Sequence, residues 1–322
     1  MNIAHAIDKA IFSRYFQIVL ERTDQYYQKG EIKSGNDSPE RVKIQMDKIS
    51  EGMSLFKFIS NTRRDLPDVI STLKYLKKVA KEFDKVNTET RVATDRTFWN
   101  DFEKLAKSFG VGTIGYTHIE PKYIFKGFSV FYQSVIILGM EMKFEKIQKS
   151  PQREAGEEAM RIYSELGKAN YELAKYMREQ GVNAQSIHPF LGPALYPVLA
   201  RKAGMGEIGA NGLLITPQFG PCQRLAIITY DGDLPEKEKT INRQAQVSDY
   251  CKKCGQCVHG CPQGAILERP IVTERSVTHI DNKKCMPYFY KTYGCSICIK
   301  VCPLIQGGWE KIGSSNGKGK CI

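Results

Sequence analysis

Cys251-Lys-Lys-Cys254-Gly-Gln-Cys257-Val-His-Gly-Cys261-Pro262 and Cys285-x9-Cys295-Ser-Ile-Cys298-Ile-Lys-Val-Cys302-Pro303 together hold eight of the ten cysteines of this 322-residue chain. A cubane iron-sulfur cluster needs four thiolates converging on one point. Tight Cys-x2-Cys turns supply three of them, and a Cys-Pro step carries the fourth elsewhere. Where two such runs occur together, the fourth cysteine of each serves the other cluster. The spacing therefore assigns Cys251, Cys254, Cys257 and Cys302 to one 4Fe-4S site, and Cys261, Cys285, Cys295 and Cys298 to a second.

This is the spacing of a two-cluster ferredoxin, and such a pair moves electrons. Zinc ribbons also use paired Cys-x2-Cys, but a tetrahedral zinc site has no role for a three-cysteine run closing in Cys-x3-Cys-Pro, twice over. Disulfides belong to oxidising compartments and small secreted domains, which a chain of this size with no export signal does not resemble. The second run departs from a simple ferredoxin in the nine residues between Cys285 and Cys295, Met286-Pro-Tyr-Phe-Tyr-Lys-Thr-Tyr-Gly294, which read as an inserted loop with no ligand lost.

With 42% hydrophobic residues the chain can bury a large core, and the cluster region needs only the last quarter. The formal charge is +12; eight thiolates against two oxidised cluster cores would bring the loaded protein to about +8. Lys74, Lys77, Lys78, Lys81 and Lys85 alternate with acids and apolar residues as on a solvated helix face, which argues against a dedicated nucleic-acid surface. A basic surface suits an acidic electron donor such as a small ferredoxin or flavodoxin. No apolar run approaches the roughly eighteen residues of a membrane span, the best being Val135-Ile-Ile-Leu-Gly-Met140. The first residues lack the basic-then-apolar layout of a signal peptide, and Arg63-Arg64 is followed by Asp-Leu-Pro-Asp with no apolar region. The expected location is cytoplasmic.

Helical spacing is expected up to Gly30, over Val42–Ile59, over Val69–Phe83 and from Trp99 to Phe109, making the first hundred residues helical around a polar loop at Glu31–Glu40. Strands are expected at Gly112–His118, Ser134–Met142, Val182–Ile187, Leu213–Thr216 and Arg224–Tyr230, with a long helix from Glu154 to Gln180. This alternation implies an α/β (α+β) sandwich. The expected units are a helical region over 1–110, an α/β core over 111–235, a two-cluster domain over 240–310 and a frayed tail over 311–322, with a linker at Asp231–Lys239.

The densest glycine region is Gly204-Met-Gly206-Glu-Ile-Gly209-Ala-Asn-Gly212-Leu-Leu-Ile-Thr-Pro-Gln-Phe-Gly220-Pro221. Its glycines would let the backbone approach something large and flat. A dinucleotide fold is disfavoured, because Gly-x-Gly-x-x-Gly here follows a helix-like segment and leads into a strand, the reverse of the order that motif requires.

With this segment, Arg224-Leu-Ala and both cysteine runs, the chain from about Thr113 to Gly308 resembles the corrinoid-dependent reductive dehalogenases and the related epoxyqueuosine reductases. The long spacer before Cys295 is similar to the dehalogenase version. The resemblance implies a nitroreductase-like α/β core that binds cobalamin or another corrinoid without a protein ligand to cobalt, and two 4Fe-4S clusters that feed it electrons. The sequence agrees in having no Asp-x-His-x-x-Gly motif. The resemblance places His188, Gly192, Pro193, Gly204, Gly206, Gly209, Asn211, Gly212, Leu213, Thr216, Pro217 and Gly220 on the corrinoid side. Dehalogenases often carry arginine where Ala210 stands, epoxyqueuosine reductases an acid where Phe190 stands, and the resemblance sets Phe144 against a family tyrosine. Tyr116 and Tyr196 are the candidate proton donors, each also explicable as packing. Cys222 reads as a buried thiol and Cys321 as a tail residue.

The expected function is that of a reductase taking electrons from an external donor to a small-molecule substrate, organohalides being one candidate class. Alternatives are a tRNA-modifying epoxide reductase, with tRNA as partner, and a non-catalytic electron-transfer or corrinoid-handling protein.

Overall fold

The computed structural model describes residues 17–41, 66–82, 94–236, 243–272, 277–292, 294–305, 309 and 312. At its centre lies a four-stranded sheet of β1 (Thr113–His118), β2 (Ser134–Glu141), β3 (Ala184–Ile187) and β4 (Gln223–Tyr230), in the order β1-β2-β4-β3. Every pairing is antiparallel. Antiparallel sheets often leave one face wet, but β2 is buried at seven of its eight positions and β4 at six, because helices cover both sides. Successive side chains point to opposite faces. Ile136 and Leu138 thus meet Ala226 and Ile228 in one core, while Val135 and Ile137 meet Ile227 in the other. Each such side chain contributes about 1.5–3 kcal/mol on burial.

The first face is covered by α2 (Arg96–Ser108) and α3 (Arg153–Glu179). Asp95 opens α2 by accepting the Phe98 N–H at 2.8 Å. α3 presents Ile162, Leu166, Ala169, Leu173 and Met177 at three- and four-residue intervals. Its opposite side packs Met160 against Val69, Leu73 and Leu76, three of these contacts lying on α1 (Leu66–Lys81). Where α3 crosses the sheet, Asn170 Nδ2 donates to the Ile227 carbonyl at 2.9 Å and Ser186 Oγ donates to Asn170 Oδ1 at 2.7 Å. These bonds leave the buried amide satisfied.

The second face is covered by α4 (Tyr196–Lys202), by Tyr26 and Tyr27 at the end of the helical residues 17–26, and by Ile119, Ile124 and Val130. Gly115 on β1 leaves the space into which Met205 and Ala203 fit. The cysteine-bearing part consists of α5 (Gln244–Cys254), a hairpin of β5 (Ile266–Val272) and β6 (Val277–Ile280), α6 (Asn282–Lys291) and short helical turns at Gln256–His259 and Ile297–Lys300. Ile299 and Ile305 join it to the first-face core, and Val247, Leu304 and Ile312 close a small cluster around Ile215.

The expected mixed α/β class holds. One local expectation does not, and two features were not foreseen. The spacer between Cys285 and Cys295 is largely helical, because Asp281 caps α6 by accepting the Lys283 N–H at 3.0 Å and Pro287 removes only one donor from a helix already begun. Within the polar loop expected at Glu31–Glu40, Ile32–Lys33 pairs with Ser129–Val130 as a two-residue ladder. The hairpin of β5 and β6 was not expected. The proposed helix at Val42–Ile59, residues 237–239 of the linker, the tail from Gly313 and Cys321 lie outside the described residues.

Candidate functional site

The last turns of α5 deliver Cys251 and Cys254, and Gly255 at φ +59° turns the chain through the left-handed region so that Cys257 follows on the next helical turn. Cys251, Cys254, Cys257 and the distant Cys302 stand around one small cavity beside Ala210, Asn211 and Ile215. The other four expected ligands also gather, Cys298 and Cys295 being electrostatic neighbours of Cys261, and Cys298 and Cys285 of Cys295. Burial, followed by repulsion from neighbouring thiols, pushes Cys257 up to about 11 and Cys298 to about 12. Burial also pushes Cys302 to about 12. Thiolates crowded in this way favour a cationic partner.

Among the described residues no three His, Cys, Asp or Glu side chains close on a single ion-sized point. A cubane spreads four irons over a cube and takes one thiolate at each, so its ligands ring a volume instead of a point. Two rings of four soft thiolates fit that group in donor chemistry.

The glycine segment forms the wall beside the first ring. α4 ends at Gly204, φ +73°, with Met205 N–H bonded back to the Ala200 carbonyl at 3.0 Å. Glu207–Ile208 then pairs with Leu214–Ile215 around a turn in which Gly209 N–H meets the Leu213 carbonyl at 3.0 Å. Asn211 Oδ1 accepts the Leu213 N–H at 3.2 Å, and Asn211 Nδ2 reaches the Cys298 carbonyl at 3.4 Å. Thr216 Oγ1 accepts from Phe219 N–H at 3.1 Å and from Gln223 Nε2 at 3.0 Å, fixing the next loop.

The space these glycines leave is taken up by the chain itself. Side chains at Gly206 and Gly209 would run into Ile215, one at Gly212 into His279, and one at Gly220 into the Leu304 carbonyl. The glycines bring the cysteine-bearing part against the sheet domain.

A cavity of about 620 Å3 opens on the outer side of this hairpin. Gly204, Gly206 and Pro217 line it with Tyr123, Val198, Arg201, Lys202, Met205, Glu207, Arg243 and Trp309. That volume lies in the range of small-ligand and cofactor sites, about 300–1,000 Å3. The lining has three cations, two aromatic rings and no histidine or cysteine. Glu207, nearly buried, accepts Arg201 Nε at 3.1 Å and the Arg243 N–H at 2.6 Å, tying the hairpin to the start of α5. Trp309, Cys251 and Cys302 all pack against the buried cluster of Ile215, Val247, Leu304 and Ile312, so the cavity and the first thiol ring share one small core. A groove of about 610 Å3 on α1, lined by Leu66, Pro67, Ile70, Tyr75 and Lys168 among others, carries no thiol or imidazole.

The remaining sequence candidates fall elsewhere. His188 is fully buried beside Gly167, its Nδ1 accepting the Phe190 N–H at 3.2 Å and its backbone N–H bonded to Tyr27 Oη at 3.0 Å. Burial alone pulls it down to about 3. Gly192 gives room to the hydroxyl of Tyr196, which is buried without a hydrogen-bond partner, and Pro193 supplies a carbonyl to Phe125 N–H at 2.7 Å. Tyr116 lies in the opposite core and donates to Glu103 Oε1 at 3.1 Å, with burial raising its pKa. Tyr116 and Tyr196 therefore sit on opposite faces of the sheet, and neither lines the cavity. Phe190 stacks edge-on against Tyr163. Cys222 is a core thiol, donating to the Met142 carbonyl at 3.3 Å and pushed by burial to about 12. Sequence reading missed Tyr123, Arg243 and Trp309, whose positions carry no local motif, and passed over Glu207 within the glycine segment.

No family model matches the chain. A tetrachloroethene reductive dehalogenase of Desulfitobacterium hafniense is 30% identical over 232 residues, covering 67% of this chain and 40% of the relative. One of Dehalobacter restrictus is 31% identical over the same shares. An epoxyqueuosine reductase of Aliivibrio fischeri is 32% identical over 136 residues, or 39% of this chain and 35% of the relative. Two solved structures of a catabolic reductive dehalogenase share the fold. One, in complex with 3-bromo-4-hydroxybenzoic acid, has a TM-score of 0.60 at 19% identity over 72% of this chain and 36% of that one. The other has a TM-score of 0.64 at 16% identity over 86% and 43%. The chain spans about 40% of the length of the dehalogenases it matches. By sequence and by fold this chain is a relative of the reductive dehalogenases, and by sequence, over a shorter stretch, of the epoxyqueuosine reductases.

Proposed function

We propose that the protein is an iron-sulfur and corrinoid-dependent reductase of the reductive dehalogenase type, passing electrons from an external donor through two 4Fe-4S clusters to a small organic substrate. The observation that carries this is the gathering of Cys251, Cys254 and Cys257 with Cys302 around one cavity, against a hairpin that also walls a cofactor-sized space. Cys251, Cys254, Cys257 and Cys302 hold one cluster, and Cys261, Cys285, Cys295 and Cys298 the other.

Gly204, Gly206 and Pro217 form the smooth wall for a corrinoid, which when bound supplies a low-potential cobalt centre for two-electron reduction. Arg201, Lys202 and Arg243 suit its anionic parts, and Tyr123 and Trp309 its flat surface. His188 keeps its loop in place from within the core. Asn211 and Gly220 keep the hairpin closed on the cysteine-bearing part, which shortens the path between clusters and cavity. Reduction of a carbon-halogen bond needs two electrons and one proton and releases halide. An acidic ferredoxin or flavodoxin is the expected donor, consistent with the basic charge of the chain.

Anaerobic reconstitution with iron, sulfide and hydroxocobalamin tests this, read by absorbance, EPR and metal analysis. About eight irons, four per cubane, with stoichiometric cobalt are expected. Iron without cobalt removes the corrinoid half of the proposal. Turnover of an organohalide panel then tests the substrate class. The match to epoxyqueuosine reductases favours one second reading, a tRNA-modifying reductase; retention of tRNA by the loaded protein would select it over the first.

A further inference from the structure

We propose that the exposed face of α6 is the docking surface for the acidic electron donor, which hands its electron to the second cluster there; this rests on the cluster assignment proposed above. The spacer between Cys285 and Cys295 supplies no ligand, yet it is folded and held. Cys285 lies in the first turn of α6. At the other end Thr292 Oγ1 donates to the Tyr288 carbonyl at 2.7 Å, and Gly294, at φ +88°, donates its N–H to the Phe289 carbonyl at 2.9 Å before the chain reaches Cys295. The spacer therefore begins and ends at thiols of the second ring.

Within α6, Cys285, Met286, Tyr288 and Phe289 are half-buried, while Lys283, Lys284, Pro287 and Lys291 are exposed. Lys284 and Lys291 stand two turns apart on one side of the helix, a span of about 10 Å. α6 holds no acid, and the Asp281 carboxylate at its start is engaged by the Lys283 N–H. Among the described residues no ion pair ties Lys283, Lys284 or Lys291, whereas Lys252 on α5 is held by Asp249 at 3.3 Å. The first ring also faces inward, Cys251 and Cys302 packing on the buried cluster of Ile215, Val247, Leu304 and Ile312. Three uncommitted ammonium groups around an exposed proline, on the helix that carries Cys285, suit a carboxylate-rich partner surface. The step is a plain electron transfer. One electron leaves the donor's reduced centre and enters the oxidised second cluster, and no bond forms or breaks.

The test uses the full chain reconstituted with iron and sulfide, with an acidic plant-type ferredoxin as the probe. Freeze-quench EPR follows the rate at which the two proteins exchange electrons. The triple variant Lys283→Gln, Lys284→Gln, Lys291→Gln should lower that rate about tenfold at low salt and approach the unsubstituted protein at high salt. A matched triple on α1, Lys74→Gln, Lys77→Gln, Lys81→Gln, removes the same charge from exposed positions elsewhere and should leave the rate close to the unsubstituted value. Methyl viologen radical, a small cationic reductant, should reduce all three proteins alike. Equal losses in both triples, or none in the α6 triple, overturn the docking face, as does a loss confined to Lys253→Gln beside the first ring. If the α6 triple takes up no iron, carbodiimide cross-linking of the unsubstituted protein to the ferredoxin decides. Cross-links mapped to Lys283, Lys284 or Lys291 support the face, and cross-links only at other lysines overturn it. Failure of the unsubstituted protein to form any cubane would instead sink the cluster reading itself.

Discussion

The sheet and the cysteine-bearing part obtain their order in different ways. Seven of the eight residues of β2 are buried. In β5 only the first is, and at the hairpin tip Ile271, Val272 and Val277 are 57%, 71% and 54% exposed. α3 runs for 27 residues with an apolar stripe toward the sheet, whereas the helical segments that carry Cys257 and Cys298 are four residues long. Isolated helices that short do not hold themselves together in water. The contrast teaches that apolar burial organises the sheet domain, while the cysteine-bearing part has little core of its own and, on the cluster assignment proposed above, draws its order from what its thiols hold.

The largest expected effect separates the two directly. Stripping iron from the reconstituted protein with a chelator should abolish hydrogen-exchange protection across 243–305 and leave β2 and β4 protected, because metal binding and local folding are coupled. Equal protection of 243–305 with and without iron would remove the contrast. The reverse experiment cuts the core: Ile137→Ala, at a fully buried sheet position, should cost about 2–5 kcal/mol in a urea titration while iron content stays constant.

The seam between the regions should respond in both. At Gly220, φ +57° disfavours any side chain and an added Cβ meets the Leu304 carbonyl, two residues beyond Cys302. Gly220→Ala should lose about 2–4 kcal/mol and also lower iron occupancy, since the seam must open to fit a methyl group. Loss of stability with full iron would show that the seam does not support the cluster site.

The smallest effect belongs to the sheet domain alone. Burial holds His188 at about 3, below its ordinary 6.5. As pH falls below about 6.5 the unfolded chain takes up a proton that the folded one refuses. Stability is therefore complete above that pH and declines toward 3, by about 1.4 kcal/mol per pH unit within the window. Urea titrations between pH 7 and 5.5 should show this slope, and His188→Asn should flatten it.

Much of this was legible in advance. β1, β2, β4 and α3 appear within about three residues of the positions their hydrophobic periods indicate. The approach of Cys251, Cys254 and Cys257 was legible because Cys-x2-Cys turns are local geometry, and the expected Cys302 lines the same small cavity. The α6 helix was not legible, since a proline between aromatic residues reads as a loop until Asp281 is seen to cap it. Tyr123 and Trp309 gave no signal, because their shared cavity exists only where segments nearly two hundred residues apart meet. The two candidate tyrosines looked equivalent in sequence, and only the sheet shows them on opposite faces.

What the sequence determined by itself is the inventory of short-range chemistry: thiols at cluster spacing, a strand period of two, a helix period near 3.6, and glycines where backbones must close. Those are set by bonds and dihedrals within a few residues. Only the tertiary structure decided what fills the glycine gaps and which cations share a wall. Those depend on contacts between distant segments, and a linear pattern carries no record of distance in space.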